Sequence, residues 1–132
     1  MKLSALYQIF LDCQSVTTDS RNCPDGSLFI ALKGESFNGN AFAKLALDSG
    51  CAFAIIDEIQ YAIEGDQRYI LVDDCLQTMQ QLANYHRRQL GTRVIGITGT
   101  NGKTTTKELI SSVLCQAHNV LYTLGNLNNH IG

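Results

Sequence analysis

The sequence lacks the features that mark membrane or nucleic-acid-binding proteins. No apolar run approaches the roughly 20 residues that a helix needs to cross a bilayer. The net charge of −2 gives no general attraction to nucleic acid or to an anionic membrane. With 45% apolar and 17% charged residues, the 132-residue chain has the composition of a soluble globular protein that can bury a core. We therefore expect neither a nucleic acid nor a membrane as a partner.

Cysteine and histidine also lack the spacings that build disulfide frameworks or zinc sites. The five cysteines are odd in number, and no two form a Cys-x-x-Cys pair. The three histidines stand far apart, so no zinc-ligand spacing is present. Reduced thiols in a cytoplasmic protein are the simplest interpretation.

Helix and strand patterns alternate along the chain. Residues 4–12 form an amphipathic pattern without a small-residue cleavage site, which predicts a helix and not a signal peptide. β-prone segments follow at 15–18, 27–32, 52–56 and 69–72, with further helices from residues 40 and 75. The alternation predicts an α/β fold. We expect a small N-terminal α/β domain with a mixed sheet over residues 1–91, and the opening strand, loop and helix of a second domain over residues 92–132.

Helix-end signals support the two later helices of the first domain. Asn40 is a candidate cap for the helix that follows it, with Phe42, Leu45 and Ala46 as its buried face. Asp74 with Gln77 three residues later resembles a capping box, and Gly91 is a natural terminator. The face expected to be buried on this helix consists of Leu76, Met79, Ala83, His86 and Leu90.

The most informative segment is the glycine-rich loop at residues 98–105, between an apolar run at 94–97 and a helical pattern. Its glycines let the backbone approach an anion, and the helix start adds its positive dipole end. Lys103 supplies a charge for nucleotide phosphates, and the Thr104 hydroxyl is placed to bind Mg²⁺. The loop is shorter than G-x-x-x-x-G-K-[ST], and an ordinary glycine turn is the alternative. The nucleotide-binding candidates are Gly99, Thr100, Asn101, Gly102, Lys103, Thr104 and Thr105.

Two polar segments could also meet a ligand. Residues 17–21 combine an acid, hydroxyls and a base after a predicted strand, although an Asx turn with a surface arginine is the simpler interpretation. Residues 124–132 are dense in asparagine, whose amides suit polar ligands and tight loops alike.

Together these segments resemble the Mur ligases, ATP-dependent amide-forming enzymes of peptidoglycan precursor synthesis. Residues 96–108, GITGTNGKTTTKE, are similar to the ATP-binding motif of that family, whose loop is short. Residues 18–21, followed by LFIALKG at 28–34, resemble the N-terminal uridine-nucleotide domain of two family members. Residues 125–132, GNLNNHIG, are most similar to the member that adds D-alanyl-D-alanine. Residues 38–40 read Asn-Gly-Asn, where the family usually has Asp-Gly-His.

The resemblance implies a reaction and roles for several residues. ATP would phosphorylate the terminal carboxylate of UDP-N-acetylmuramoyl-tripeptide, and the amine of D-alanyl-D-alanine would then displace phosphate from the acyl phosphate. Lys103 and Thr104, the latter with Mg²⁺, would act on the moving phosphoryl group. The implied substrate-binding residues are Ser20 and Arg21 near the uridine diphosphate, and Asn126, Asn128 and Asn129 toward the muramoyl-peptide.

The resemblance also implies that the chain covers only part of an active site. Family members have three domains, and the sequence matches the first and the opening of the second. We therefore expect the chain to be inactive alone and to self-associate through uncovered apolar surface, and the full enzyme to be monomeric. Two alternatives remain: a non-catalytic uridine-nucleotide-binding module, and another amide ligase of the superfamily, such as the folate–glutamate type, which would not need a uridine site.

Overall fold

A computed structural model describes residues 2–125, and the chain divides into two compact units, residues 1–91 and 92–132. Besides two 3-10 helices at Gly39–Phe42 and Ile59–Tyr61, the first unit contains among its described residues three α-helices and four strands. In chain order these are α1 (Leu3–Asp12), β1 (Val16–Thr17), β2 (Leu28–Ile30), α2 (Ala43–Asp48), β3 (Phe53–Ile56), β4 (Tyr69–Leu71) and α3 (Cys75–Leu90). The second unit contains α4 (Lys103–Leu114).

The four strands form one sheet in the order β1-β2-β3-β4, and all three strand pairings are parallel. The predicted α/β class is confirmed, but the expected mixed sheet is wrong for the described strands. Parallel neighbours need a crossover connection, whereas antiparallel neighbours can be joined by a short hairpin. Each connection here is too long for a hairpin, and the one between β2 and β3 contains α2. The parallel arrangement brings the carboxyl ends of all four strands to one edge.

The core is built on the two central strands. Leu28, Phe29 and Ile30 of β2 are all fully buried. Because successive side chains of a strand point to opposite faces, both faces of the sheet are covered at this strand. Helix α2 packs against β2 and β3, and α1 packs against α3. Tyr7 of α1 contacts Tyr85 edge-on and hydrogen-bonds the Nδ1 atom of His86 at 3.1 Å, which fixes the α1–α3 contact.

The start of α2 differs from the prediction. A 3-10 helix occupies Gly39–Phe42, and its N-cap is Asn38, whose side chain accepts a hydrogen bond from the Asn40 N–H at 3.0 Å. The prediction that Asn40 caps the helix is therefore wrong. A 3-10 helix has 3.0 residues per turn, so it shifts the phase of the helix that follows. As a result α2 buries Ala43, Ala46 and Leu47, while Phe42 and Leu45 are exposed.

Helix α3 has the ends that the sequence predicts. The Asp74 carboxylate accepts a hydrogen bond from the Gln77 N–H at 2.6 Å, and Gly91 ends the helix with φ 62°. The predicted face is partly wrong, because Cys75 and Leu82 are the buried residues of α3. The predicted phase placed Ala83 on the buried face, where the structure buries its neighbour Leu82. Two members of the predicted face are exposed, Ala83 and Leu90.

Removing the α3 cap should have a measurable effect on stability. Asp74→Ala leaves the Gln77 N–H of α3 without its side-chain acceptor, and we expect the free energy of unfolding to fall by about 1 kcal/mol. Urea denaturation followed by circular dichroism measures the change. Asp73→Ala is the matched control, since Asp73 is exposed and makes no hydrogen bond within residues 2–125. Equal midpoints for the two variants would show that the cap contributes nothing.

The second unit keeps its predicted helix but not its predicted opening strand. No strand is assigned at 94–97. A strand forms by hydrogen bonding to a neighbour, and none is assigned among the described residues of this unit. The apolar face of α4 is correspondingly open, with Leu109 and Val113 64% and 70% exposed. Within residues 2–125 no helix has the length and apolar character to span a bilayer.

Candidate functional site

The loop before α4 has the backbone shape of an anion site. Gly102 lies in the left-handed region with φ 74°, directly before the first helical residue, and Gly99 has φ 151°. Within the described part of the chain no side chain caps α4, and its first turn contains no acidic residue. The first N–H groups of a helix have no partner within the helix, and the dipole adds positive potential there. This helix start is therefore open to an anion.

Lys103 closes over this loop. Its Nζ atom donates a hydrogen bond to the Gly99 carbonyl oxygen at 2.5 Å. The bond joins the two ends of the loop, with Thr100 and Asn101 forming the bend between them. An ammonium held at a loop carbonyl can exchange that oxygen for a phosphate oxygen. The structure thus brings together the glycines and the lysine that the sequence selects.

Thr104 and Thr105 lie in the first turn of α4, next to Lys103. In phosphate-loop sites Mg²⁺ is held by the Ser or Thr hydroxyl that follows the loop lysine, together with an acidic side chain and phosphate oxygens. Thr104 occupies the position of that hydroxyl, directly after Lys103.

The second candidate site lies in the first unit, at the carboxyl edge of its sheet. Ligands of open parallel sheets bind outside this edge. The polar residues that reach it are residues 18–21 after β1, Lys33 after β2, and Asp57 and Glu58 after β3.

The turn after β1 is held by its own side chains. The Asp19 carboxylate accepts hydrogen bonds from the Arg21 N–H at 3.0 Å and from the guanidinium at 2.9 and 2.8 Å. These bonds lower the pKa of Asp19 to about 2. Thr17 Oγ1 donates to the Asn22 carbonyl at 2.9 Å, and the Cys23 thiol donates to the Ser20 carbonyl at 3.4 Å. The segment is an Asx turn, as its simpler interpretation predicts.

This turn nevertheless leaves groups for a ligand. The Ser20 hydroxyl makes no hydrogen bond within residues 2–125, and the Arg21 side chain is 87% exposed beside Asp19. A rigid turn that presents one hydroxyl and one oriented guanidinium can bind a phosphate or sugar oxygen with little loss of conformational entropy. The role predicted for Ser20 and Arg21 stays a prediction, and these are the two groups that the turn offers to a ligand.

The sequence did not reveal a polar network beside this edge, which we call the Asn40 network: Lys33, Asn38, Asn40, Asp57 and Glu58. Asn40 is 1% exposed. Its amide nitrogen donates to Asp57 Oδ1 and to Asn38 Oδ1, both at 2.8 Å, and its Oδ1 accepts from the Asp57 N–H at 3.0 Å. Both amide hydrogens of Asn40 thus have partners within the fold, and the residue does not face a ligand.

Lys33 and Asp57 complete the Asn40 network. Lys33 Nζ lies 2.9 Å from Asp57 Oδ1 and 2.9 Å from Glu58 Oε1. Burial acts to raise the pKa of Asp57, but hydrogen bonds from Lys33, Asn40 and the Cys75 N–H outweigh it and hold that pKa below its usual value. One ammonium between two carboxylates leaves a net negative charge, so the network is better suited to fixing the 33–40 loop than to binding a diphosphate.

One group of predicted site residues has no structural test. Asn126, Asn128 and Asn129 lie outside the described residues.

Both units match family descriptions and curated sequences. The Mur ligase family catalytic domain matches residues 12–87, and the Mur ligase middle domain matches residues 97–132. The UDP-N-acetylmuramoyl-tripeptide–D-alanyl-D-alanine ligase of Bacillus subtilis is 48% identical over 117 residues, which are 89% of this chain and 26% of the relative. The corresponding ligase of Escherichia coli is 40% identical over 118 residues, 89% of this chain and 25% of the relative. The chain thus spans about a quarter of the length of these relatives.

Solved structures give the same result. A MurF crystal structure from Acinetobacter baumannii has a TM-score of 0.82 at 33% identity, over 98% of this chain and 31% of that protein. MurF ligase from Thermotoga maritima, solved in complex with ADP, has a TM-score of 0.79 at 31% identity, over 90% of this chain and 27% of that protein.

Proposed function

The chain belongs to the Mur ligase family, and from this premise we propose that it supplies the uridine-nucleotide site and the phosphate loop of an ATP-dependent ligase. That ligase joins D-alanyl-D-alanine to UDP-N-acetylmuramoyl-tripeptide in peptidoglycan precursor synthesis. The observation that carries the proposal is that ligases named for this reaction match 89% of the chain, across both units.

The phosphate loop would carry the ATP half of the reaction. Lys103 would leave the Gly99 carbonyl for the β- and γ-phosphates, and the open N–H groups of α4 would bind the remaining phosphate oxygens. Thr104 would hold Mg²⁺, which supplies charge neutralisation for the phosphoryl group. Transfer of the γ-phosphoryl group from ATP to the terminal carboxylate would release ADP and leave the tripeptide as an acyl phosphate. The amine of D-alanyl-D-alanine would then displace phosphate and form the amide bond. A similar protein solved in complex with ADP supports an adenine nucleotide as a ligand of the ligase.

The carboxyl edge of the sheet would carry the uridine half. Ser20 would hydrogen-bond the uridine diphosphate through its free hydroxyl, and Arg21 would pair with a phosphate from its fixed position on Asp19. Asn126, Asn128 and Asn129 would contact the muramoyl-peptide. We place the protein in the cytoplasm, where ATP and reduced thiols are available, and expect the full enzyme to be a monomer without a membrane or nucleic-acid partner.

Calorimetric titration of UDP-N-acetylmuramoyl-tripeptide into this chain tests the uridine site. We expect Ser20→Ala or Arg21→Ala to weaken binding by about tenfold, because each removes a hydrogen bond to the ligand that in the arginine case is charge-assisted. The test measures the dissociation constant of each variant.

Arg68→Ala is a matched control. Arg68 makes the same pair with the carboxylate two residues before it, Asp66, but at the amino end of β4. Its removal should leave the affinity unchanged. Unchanged binding in all three variants would refute the assignment of Ser20 and Arg21.

A further inference from the structure

The phosphate-loop helix carries a second lysine one turn after the first. Lys103 and Lys107 are four residues apart and share one face of α4. By sequence alone both could serve as phosphate-binding cations. Their hydrogen bonds in the structure separate them.

The ammonium of Lys107 is saturated by protein acceptors. Its Nζ atom donates to the Thr123 carbonyl at 2.5 Å and to the Gly125 carbonyl at 3.1 Å, and it lies 3.0 Å from Glu108 Oε1. The Tyr122 ring centroid is 5.9 Å from the same atom. A lysine ammonium has three donors, and here three acceptors take them. The side chain is only 14% exposed.

The ammonium of Lys103, in contrast, is not saturated by acceptors from the described residues. Within the described residues its ammonium has a single hydrogen bond, to the Gly99 carbonyl, so two of its three donors remain available. Moving Lys103 onto a phosphate exchanges one carbonyl for an anion. Moving Lys107 onto a phosphate would leave two carbonyls and a carboxylate without their cation, which costs far more than the exchange at Lys103.

We infer that Lys107 is a positioning residue, which ties the backbone of residues 123–125 to the phosphate-loop helix. Two carbonyls of this short segment converge on one nitrogen, and the preceding aromatic ring lies against the same cation. Asn126, the first of the asparagines proposed to contact the muramoyl-peptide, follows directly in sequence. Lys107 therefore fixes the starting point of that segment on the same helix that opens with the phosphate loop. The contact of the following segment with the muramoyl-peptide rests on the proposed function. The hydrogen bonds of Lys107 to residues 123 and 125 do not.

Limited proteolysis of the 132-residue chain tests the link. Lys107→Met keeps the aliphatic stem and removes the donors, and we expect chymotrypsin to cleave after Tyr122 and Leu124 about tenfold faster than in the parent. Cleavage after Phe37, which is exposed in the first unit, serves as the internal reference. Lys44→Met is the matched control, because Lys44 belongs to the first unit and pairs with Asp48 on the surface of α2. That variant should be cleaved like the parent.

Two further measurements separate positioning from phosphate binding. The carbonyl ¹³C resonances of Thr123 and Gly125 should move upfield in Lys107→Met, as expected when a hydrogen bond is lost. The affinity for MgATP should fall at least about tenfold in Lys103→Met but less than about threefold in Lys107→Met.

The outcomes distinguish this inference from the proposed function. Unchanged proteolysis together with unmoved carbonyl signals in Lys107→Met would overturn the inference. Loss of MgATP binding equal to that of Lys103→Met, without faster cleavage, would make Lys107 a phosphate ligand and overturn it as well. If the parent binds no MgATP, the ATP role proposed for the loop fails, while the proteolysis and the carbonyl shifts still decide the role of Lys107.

Discussion

Gly39→Ala is expected to unfold the first unit at a much lower urea concentration than the parent. A Cβ atom at Gly39 would lie 2.3 Å from the Leu32 carbonyl oxygen, and 2.8 and 2.9 Å from backbone atoms of Ala31 and Leu32. The Gly39 N–H also donates to that carbonyl at 2.9 Å, so the two segments are held together where the methyl group would have to fit. Because backbone in contact with the core cannot move aside like a flexible side chain, we expect a loss of about 3 kcal/mol.

Gly65→Ala is the control that separates this clash from the cost of the backbone conformation. Gly65 has φ +83° and no atom within 4 Å of a Cβ built on it. Alanine there suffers an unfavourable φ and no collision, so we expect a loss of only about 1 kcal/mol. The comparison is made by urea denaturation followed by circular dichroism. A smaller effect at position 39 than at position 65 would show that the close approach of residues 31–32 and 39 is not rigid.

Local signals predicted the elements of the first unit well, because their causes lie within a few residues. The cap at Asp74 needs only the N–H three residues later, and the end of α3 needs only a residue that tolerates positive φ at position 91. The buried face of α2 could not be predicted in the same way. Its phase depends on the 3-10 turn at residues 39–42, which a hydrogen bond from the Gly39 N–H ties back across the loop to the Leu32 carbonyl.

The phosphate loop and the Asn40 network differ in how well the sequence predicts them, for the same reason. The phosphate loop is contiguous, so the order of Gly99, Gly102 and Lys103 already contains its geometry. The Asn40 network joins residues 17 positions apart, Asn40 and Asp57, and requires the parallel pairing of β2 with β3. The strand expected at 94–97 shows that a contiguous pattern can also fail. An apolar run becomes a strand only when another strand is present to pair with it.

Asp57→Asn should be the second large loss of stability. The parent carboxylate accepts hydrogen bonds from Asn40, from the Cys75 N–H at 3.2 Å, and from Lys33. An amide at this position presents N–H donors to groups that are themselves donors, and it removes the charge that pairs with Lys33. Asp57 is only 9% exposed, so water cannot readily replace the lost acceptor. We expect the free energy of unfolding at pH 7 to fall by about 3 kcal/mol.

The pH dependence of that loss identifies its cause. The pKa of Asp57 is lower in the folded chain than its usual value, so its stabilisation is complete above the usual value, near pH 4, and disappears as pH falls through the folded pKa. Urea denaturation at a series of pH values should show the difference in unfolding free energy between the parent and Asp57→Asn narrowing below about pH 4. Asp48→Asn removes an exposed carboxylate paired with Lys44 and should cost less than about 0.5 kcal/mol. A difference between parent and Asp57→Asn that stays constant down to pH 2 would mean that the shape of the side chain, and not its charge, holds the Asn40 network together.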